Sequence, residues 1–139
     1  MKRLISVAVL ASIISLLSCS TQQKISSQDP KPAFRNVGVE EFGSLIARKN
    51  VQILDSRTQS EFDESHIKGS VLIDVNEPEF KSEALKTLDK SKKVAVYCRS
   101  GRRSRIAAQI LADEGFKVTN LDGGIISWKE AGKELEQTN

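Results

Sequence analysis

A basic turn around one cysteine carries the clearest chemical signal in the sequence. Residues 97–105 read YCRSGRRSR, directly after an apolar run and ahead of a helical pattern. Arginines at a helix N-terminus oppose the helix dipole, so a sequence that accepts several of them there is expected to bind an anion. Backbone N–H groups of the turn add donors, and Gly101 permits the positive φ that a tight cradle often needs. The expected anion-binding residues are Arg99, Ser100, Gly101, Arg102 and Arg103, whereas Arg105 taken alone fits a solvated helix face.

Cys98 stands at the start of this turn and is the candidate nucleophile. Helix N-termini and basic neighbours stabilise the thiolate, which is the reactive form of cysteine, so no separate histidine base is required. We expect Cys98 to attack the outer sulfur of a small anionic donor and to keep that sulfur as a persulfide. A second nucleophile, such as a thiol or cyanide, then removes it. A small buried hydrophobe is the usual alternative for a free cysteine, and the basic turn argues against it.

Length and charge set the class of protein. The chain has 139 residues, enough for one domain, and its 39% hydrophobic and 28% charged residues suit a globular α/β protein. Without Lys2 and Arg3, 19 basic residues stand against 18 acidic ones, so the remaining chain is near +1. A global attraction to nucleic acid is therefore not expected, and any positive field must be local.

The N-terminus has the pattern of an export signal. Lys2 and Arg3 precede an apolar run over residues 4–17, which is shorter than the ~20 residues that span a bilayer. Residues 16–19, LLSC, resemble a bacterial lipobox, which implies cleavage before Cys19 and acylation of its sulfur. A short membrane anchor, a buried helix and an ordinary secreted protein are the alternatives.

These features divide the chain into three parts. We predict a lipoprotein signal peptide over residues 1–18, a lipid-anchored flexible tether over 19–32 and a folded domain over 33–135. The predicted location is the cell envelope, where Cys19 holds the domain to a bacterial membrane, facing the periplasm. With Cys19 lipidated, Cys98 is the only free thiol, so no intramolecular disulfide forms even in an oxidising compartment.

Strand-like and helix-like segments alternate from residue 33 onward. Short apolar or β-branched runs predict strands over 51–54, 71–73, 94–97 and 118–121. Helices are predicted over 39–46, after a capping box of Thr58 and Glu61, over 79–88, along a stripe of Ile106, Ala107, Ile110 and Leu111, and around Trp128. This alternation implies a mainly parallel sheet with right-handed crossovers. Ligands bind at the carboxyl ends of such strands, which are the turns after Leu54, Tyr97 and Leu121.

Three ordered motifs resemble those of a known family. Residues 98–104 (CRSGRRS) closely resemble the active-site loop of single-domain rhodaneses. Residues 54–57 (LDSR), 61–62 (EF) and 66–70 (HIKGS), and 121–124 (LDGG) with Trp128 and Gly132, are similar to two further motifs of that family. The resemblance implies a rhodanese-like α/β fold with a five-stranded, mainly parallel sheet flanked by helices. It also implies thiosulfate sulfurtransferase-like activity, with a persulfide on Cys98 and neither metal nor cofactor. Ser56, Ser65, Lys68 and Ser70 depart from the residues common in that family, all outside the cysteine loop.

Loop length separates this resemblance from a related class of enzymes. Phosphatases of the same fold place their arginine one residue further from the cysteine, whereas Cys98 to Arg103 inclusive is six residues. A cysteine-dependent phosphatase or arsenate reductase is therefore a minor alternative. The other alternative is a non-enzymatic module that binds a partner, or senses redox state through oxidation of Cys98. Turnover of sulfur distinguishes an enzyme from such a module.

Four further residues are assigned structural roles. Asp55 and Arg57 flank the first predicted strand end, near the site, and are expected to form an ion pair that fixes the loops. His66, the only histidine, is expected to make structural hydrogen bonds rather than to bind metal. Trp128 is expected to pack in the core.

Overall fold

A five-stranded sheet forms the centre of the computed structural model, which describes residues 33–138. The strands are β1 (Arg35–Val37), β2 (Val51–Asp55), β3 (Ser70–Leu72), β4 (Lys93–Tyr97) and β5 (Val118–Leu121). They lie in the order β1-β5-β4-β2-β3, and each neighbouring pair is parallel. The predicted α/β fold is confirmed, with a sheet that is parallel throughout. The predicted signal peptide, the lipidation site Cys19 and the predicted tether lie outside the described residues.

Helices alternate with the strands along the chain. They are α1 (Val39–Ile46), α2 (Gln59–Glu64), α3 (Phe80–Thr87), α4 (Arg102–Asp113) and α5 (Gly124–Glu130). Helix α2 begins with the predicted capping box, in which Thr58 accepts from the Glu61 N–H and the Glu61 carboxylate accepts from the Thr58 N–H. Within the part of the chain that the structure describes, no helix is long and apolar enough to cross a membrane.

Strand β4 divides the core into two layers. Because successive side chains of a strand point to opposite faces, Val94 and Val96 join one apolar cluster while Ala95 and Tyr97 join the other. All four are completely buried. Helices α3 and α4 cover the first face, and α1 and α5 cover the second. The apolar run of β4 is therefore the signature of a central strand that is covered on both sides.

Two features of the fold differ from the sequence pattern. Ile106, expected on the apolar stripe of α4, is 54% exposed. The buried side of α4 is instead formed by Ser104, Ala107, Ala108 and Leu111, which share one helix face by the spacing i, i+3, i+4, i+7. Strand β1 was not predicted from the pattern, because two of its three residues are exposed and its backbone pairing with β5 holds it in the sheet.

Candidate active site

Cys98 follows the last residue of β4 and lies at the base of the turn that leads into α4. Its side chain is almost completely buried, and its sulfur accepts two hydrogen bonds. The Gly101 N–H lies 3.1 Å from Sγ, and the Ser104 hydroxyl lies 3.3 Å from Sγ. Donors that point at one atom stabilise negative charge on it. The turn therefore has the geometry to hold an anionic sulfur.

Gly101 makes this turn possible. Its φ of 96° lies in the left-handed region, where a side chain is disfavoured. A Cβ at this position would also lie 3.3 Å from the Gly123 nitrogen. Gly101 is the N-cap of α4, so its backbone conformation brings the first turn of that helix back toward the sulfur. The predicted need for a positive φ at Gly101 is what the structure shows.

The start of α5 holds the cysteine loop from its other side. The Ile125 N–H donates to the Cys98 carbonyl at 2.9 Å, and the Ile126 N–H donates to the Arg99 carbonyl at 3.2 Å. This contact needs a glycine at position 124, where φ is 60° and a Cβ would lie 2.3 Å from the Arg99 carbonyl oxygen. The loop is thus fixed by backbone contacts between two segments that are distant in the sequence.

Replacing Gly124 with alanine is expected to disturb both the stability and the chemistry of the loop. The positive φ alone costs about 1–2 kcal/mol, and the clash with backbone atoms of Cys98 and Arg99 adds to it. Gly132→Ala is the matched control, because Gly132 has a φ of 70° but open space around its Cβ position. Urea unfolding should show a larger loss for Gly124→Ala than for Gly132→Ala. Equal losses would mean that the loop moves freely to accept the methyl group.

The remaining residues of the turn present donors to solvent. Arg99, Ser100 and Arg102 are exposed, and the backbone N–H groups of Arg99 and Ser100 have no acceptor among residues 33–138. Arg105 pairs with Asp122 at 2.6 Å, on the surface. Three of the five predicted anion ligands, Arg99, Ser100 and Arg102, therefore lie around the open side of the turn. A fourth, Gly101, is buried inside the turn, where its N–H contacts the sulfur.

Arg103 forms an ion pair with Glu61 of α2. Its guanidinium donates to both carboxylate oxygens of Glu61, at 2.8 and 2.7 Å. The hydrogen bond from Arg103 lowers the pKa of Glu61 to about 2, and the hydrogen bond with Glu61 raises the pKa of Arg103. Such a bidentate pair is geometrically specific. It ties α4 to α2, and direct anion binding by Arg103 stays a prediction.

The pair of Glu61 and Arg103 is expected to make stability pH-dependent in acid. The pKa of Glu61 falls from 4.5 to about 2 on folding, so its contribution is present above pH 4.5 and is lost as the pH falls toward about 2. Glu61→Gln keeps a helix-capping side chain and removes the charge. Urea unfolding between about pH 6 and pH 3 should show an excess loss of about 1 kcal/mol in the parent over Glu61→Gln. Parallel losses in the two proteins would contradict this expectation.

Asp55 and Arg57 form a buried ion pair at the end of β2, where Asp55 lies opposite Tyr97 of β4. Arg57 Nη2 lies 2.6 Å from Asp55 Oδ2, and the two side chains are only 5% and 0% exposed. Burial opposes the charge of Arg57, but its hydrogen bond and attraction to Asp55 outweigh burial and raise its pKa. Arg57 also donates to the Ser65 carbonyl at 2.7 Å and stacks over the ring of Tyr97. The pair fixes the end of β2 to the neighbouring loop.

The other two residues assigned structural roles lie outside the cysteine loop. His66 Nδ1 lies 2.8 Å from the Phe62 carbonyl oxygen, and the two rings stack. Trp128 is buried against Phe42, and its indole N–H donates to the Glu134 carbonyl. Within residues 33–138, no group of three or more His, Cys, Asp or Glu side chains is placed to hold a metal ion.

Comparison with known families assigns this arrangement to one of them. The rhodanese-like domain matches residues 38–131, which include every strand except β1 and the whole cysteine loop. The chain belongs to the rhodanese-like family. The same fold, with its parallel sheet and flanking helices, is found in a rhodanese-related protein from Thermoplasma volcanium. That structure is 31% identical, with a TM-score of 0.66, over 74% of this chain and 98% of the other.

Two curated relatives of this chain are named thiosulfate sulfurtransferase. The thiosulfate sulfurtransferase GlpE of Shewanella oneidensis is 35% identical over 101 residues, which cover 71% of this chain and 96% of the relative. The protein of the same name from Coxiella burnetii is 33% identical over 97 residues, 69% of this chain and 88% of the relative. The chain is therefore similar to single-domain sulfurtransferases over nearly their whole length.

Three residues of this rhodanese-like site were not singled out as functional from the sequence. Ser104 donates a hydrogen bond to the sulfur, and Glu61 forms an ion pair with Arg103. Gly124 lacks the Cβ that would clash with the backbone of the cysteine loop. Ser104 carried a usable signal, because a hydroxyl at the third position of a helix can reach a group at the helix N-terminus. Glu61 was assigned to the capping box and to a motif shared with the rhodanese family, and nothing in its local sequence indicated a second partner 42 residues away.

Proposed function

We propose that this protein transfers sulfane sulfur from a donor such as thiosulfate or polysulfide to a thiol or cyanide, through a persulfide on Cys98. The observation that carries the proposal is the pair of hydrogen bonds to the sulfur, from the Gly101 N–H and the Ser104 hydroxyl, inside a six-residue loop. Both donors point at the atom on which a thiolate carries its negative charge. Relatives named thiosulfate sulfurtransferase support the choice of reaction.

The loading step exchanges one sulfur–sulfur bond for another. The thiolate of Cys98 attacks the outer sulfur of thiosulfate and forms a new S–S bond, while the old S–S bond breaks and sulfite leaves with its electron pair. The exposed Arg99 and Arg102, with the N–H groups of Arg99 and Ser100, are placed to attract a doubly charged donor to the turn. The protein supplies the nucleophile and the positive field.

The discharge step returns the cysteine to its starting form. Cyanide attacks the outer sulfur of the persulfide and leaves as thiocyanate, or a thiolate attacks and becomes a persulfide itself. In either case the electron pair of the broken S–S bond returns to Cys98. A groove of about 380 Å³ lies beside the loop, with Arg99, Ile126 and Lys129 among its lining residues. It offers space and positive charge for an acceptor.

Intact mass spectrometry with turnover tests the proposal. The reduced protein is mixed with thiosulfate or polysulfide, and we expect a gain of one sulfur atom. Cyanide or a thiol should then remove that sulfur, repeatedly and with formation of product in excess over protein. A protein that loads once and does not discharge would act as a redox sensor or binding module. Failure to load from either donor, with hydrolysis of a phosphate ester, would favour the phosphatase alternative.

We also propose that the mature protein is a lipoprotein of the bacterial cell envelope, anchored through Cys19 and facing the periplasm. The support is the sequence of residues 1–19, with its basic start, apolar run and LLSC boundary. In a bacterial host, the parent should fractionate with membranes and carry the added mass of acyl chains. Cys19→Ser should be released from the membrane fraction, or retain an uncleaved signal. An unmodified Cys19 in the mature protein would contradict the proposal.

A further inference from the structure

A basic surface lies at the end of the sheet opposite Cys98. Because all strands are parallel, the loops that lead into them share one end of the molecule. Lys93 begins β4 at that end, whereas Cys98 follows β4 at the other, about 16 Å away along the strand. We call this surface the basic end, and it consists of the exposed side chains of Arg48, Lys49, Lys90, Lys92, Lys93 and Lys117.

The charge of the basic end is largely uncompensated. Within residues 33–138, none of its six cations forms an ion pair with another residue. Nearby Glu41 and Glu114 are each neutralised by an ion pair with another basic side chain. Asp89, in the loop before β4, is attracted to Lys92 without forming an ion pair with it. A chain that is near neutral as a whole thus concentrates positive charge on one face.

The basic end also has an apolar floor. An open groove of about 450 Å³ is lined by Phe34, Leu45 and Phe116, with Arg48, Lys93 and Lys117 around it. The ammonium group of Lys90 lies over the ring of Phe116, 5.5 Å from its centroid. Phe116 is buried and Phe34 and Leu45 are half-buried, so it is the exposed cations around this floor that suit an interface with anionic headgroups.

The chain enters the domain at this same surface. Ala33, the first described residue, lines the groove beside Phe34. The predicted lipid attachment at Cys19 lies 14 residues earlier, a distance of at most about 50 Å in extended chain. A membrane that holds the chain by Cys19 therefore meets the basic end more readily than the opposite end. This step of the inference rests on the lipid anchor proposed above.

We propose that the basic end docks on an anionic phospholipid bilayer. The positive side chains face the headgroups, and the parallel sheet then directs Cys98 and its arginines away from the membrane. In this orientation a small anionic donor reaches the cysteine loop from the aqueous side. A lipid anchor alone would leave the domain free to rotate relative to the membrane. Docking of the basic end would fix the orientation of the domain.

Vesicle binding of the chain from Ser20 onward tests the docking without any acyl chain. Both core clusters are built from residues 34–135, so this chain contains the whole core. The probes are vesicles of phosphatidylcholine alone and vesicles with about 30% phosphatidylglycerol. We expect binding to the second kind only, lost at about 0.5 M salt. The triple variant Arg48→Ala, Lys93→Ala, Lys117→Ala should bind roughly 100-fold more weakly.

A second triple variant provides the matched control. Arg99→Ala, Arg102→Ala, Lys129→Ala removes the same charge from the opposite end and is judged on vesicle binding alone, which should equal that of the parent. Equal weakening by both triple variants, or no preference for phosphatidylglycerol, would overturn the proposal. Binding to heparin or DNA without binding to the vesicles would overturn it as well. Sulfur transfer by the basic-end variant should stay at the parent's rate, so a failure of docking is distinct from a failure of the proposed chemistry.

Discussion

Cys98→Ser is expected to lose sulfur transfer by about 1000-fold or more. A serine hydroxyl is not ionised near neutral pH, and it needs a neighbouring base to act as a nucleophile. His66 is the only histidine in the sequence, and its Nδ1 is held by the Phe62 carbonyl. The variant should therefore gain no sulfur in intact mass spectra and should form no thiocyanate above background. Turnover at the parent's rate would show that Cys98 does not carry the sulfur.

The fold of Cys98→Ser should survive the change. The serine oxygen is smaller than sulfur, so it fits without a clash, and it points in the same direction to accept from the Gly101 N–H and the Ser104 hydroxyl. Urea unfolding should therefore shift by less than about 1.5 kcal/mol. Ser104→Ala serves as the control for the loop, because it keeps the thiol and removes one of its two donors. It should still load sulfur, at a rate about 10-fold to 100-fold lower.

Asp55→Ala is expected to lower the free energy of unfolding by about 3–5 kcal/mol. The change leaves the guanidinium of Arg57 buried without its counter-charge, at a site where the side chain is 5% exposed. Proteins of this size are stable by about 5–15 kcal/mol, so the loss would remove a large share. Urea unfolding at neutral pH measures it.

A surface ion pair of the same length is the matched control for Asp55→Ala. Arg35 and Glu41 also lie 2.6 Å apart, but their side chains are 67% and 55% exposed. Glu41→Ala should cost less than about 1 kcal/mol, because water solvates the remaining charge. If Asp55→Ala costs no more than Glu41→Ala, the buried pair is not a structural support. Lost activity in Asp55→Ala then becomes evidence for a role in the chemistry, once activity is expressed per folded protein.

The sequence determined the class of fold because its signals are local. The uninterrupted apolar run of β4 needs cover on both faces whatever its neighbours are. The capping box of Thr58 and Glu61 specifies a helix start within four residues. The alternation of such segments leaves a parallel sheet with helices on both sides as the simplest arrangement. Because ligands bind at the carboxyl ends of the strands in such sheets, the same pattern also predicted the reactive turn after β4.

Only the tertiary structure decided which partners the polar side chains take. Four arginines follow Cys98 within seven residues and look alike in the sequence, yet Arg103 binds Glu61, Arg105 binds Asp122, and Arg99 and Arg102 are left toward solvent. The same holds for Ile106, which the register of α4 turns outward while Ser104 turns toward the sulfur. Such choices depend on the distance between segments that are remote along the chain, and packing sets that distance. The local sequence therefore determined which type of chemistry the turn can perform. The tertiary structure determined which of its charged side chains face solvent and can take part.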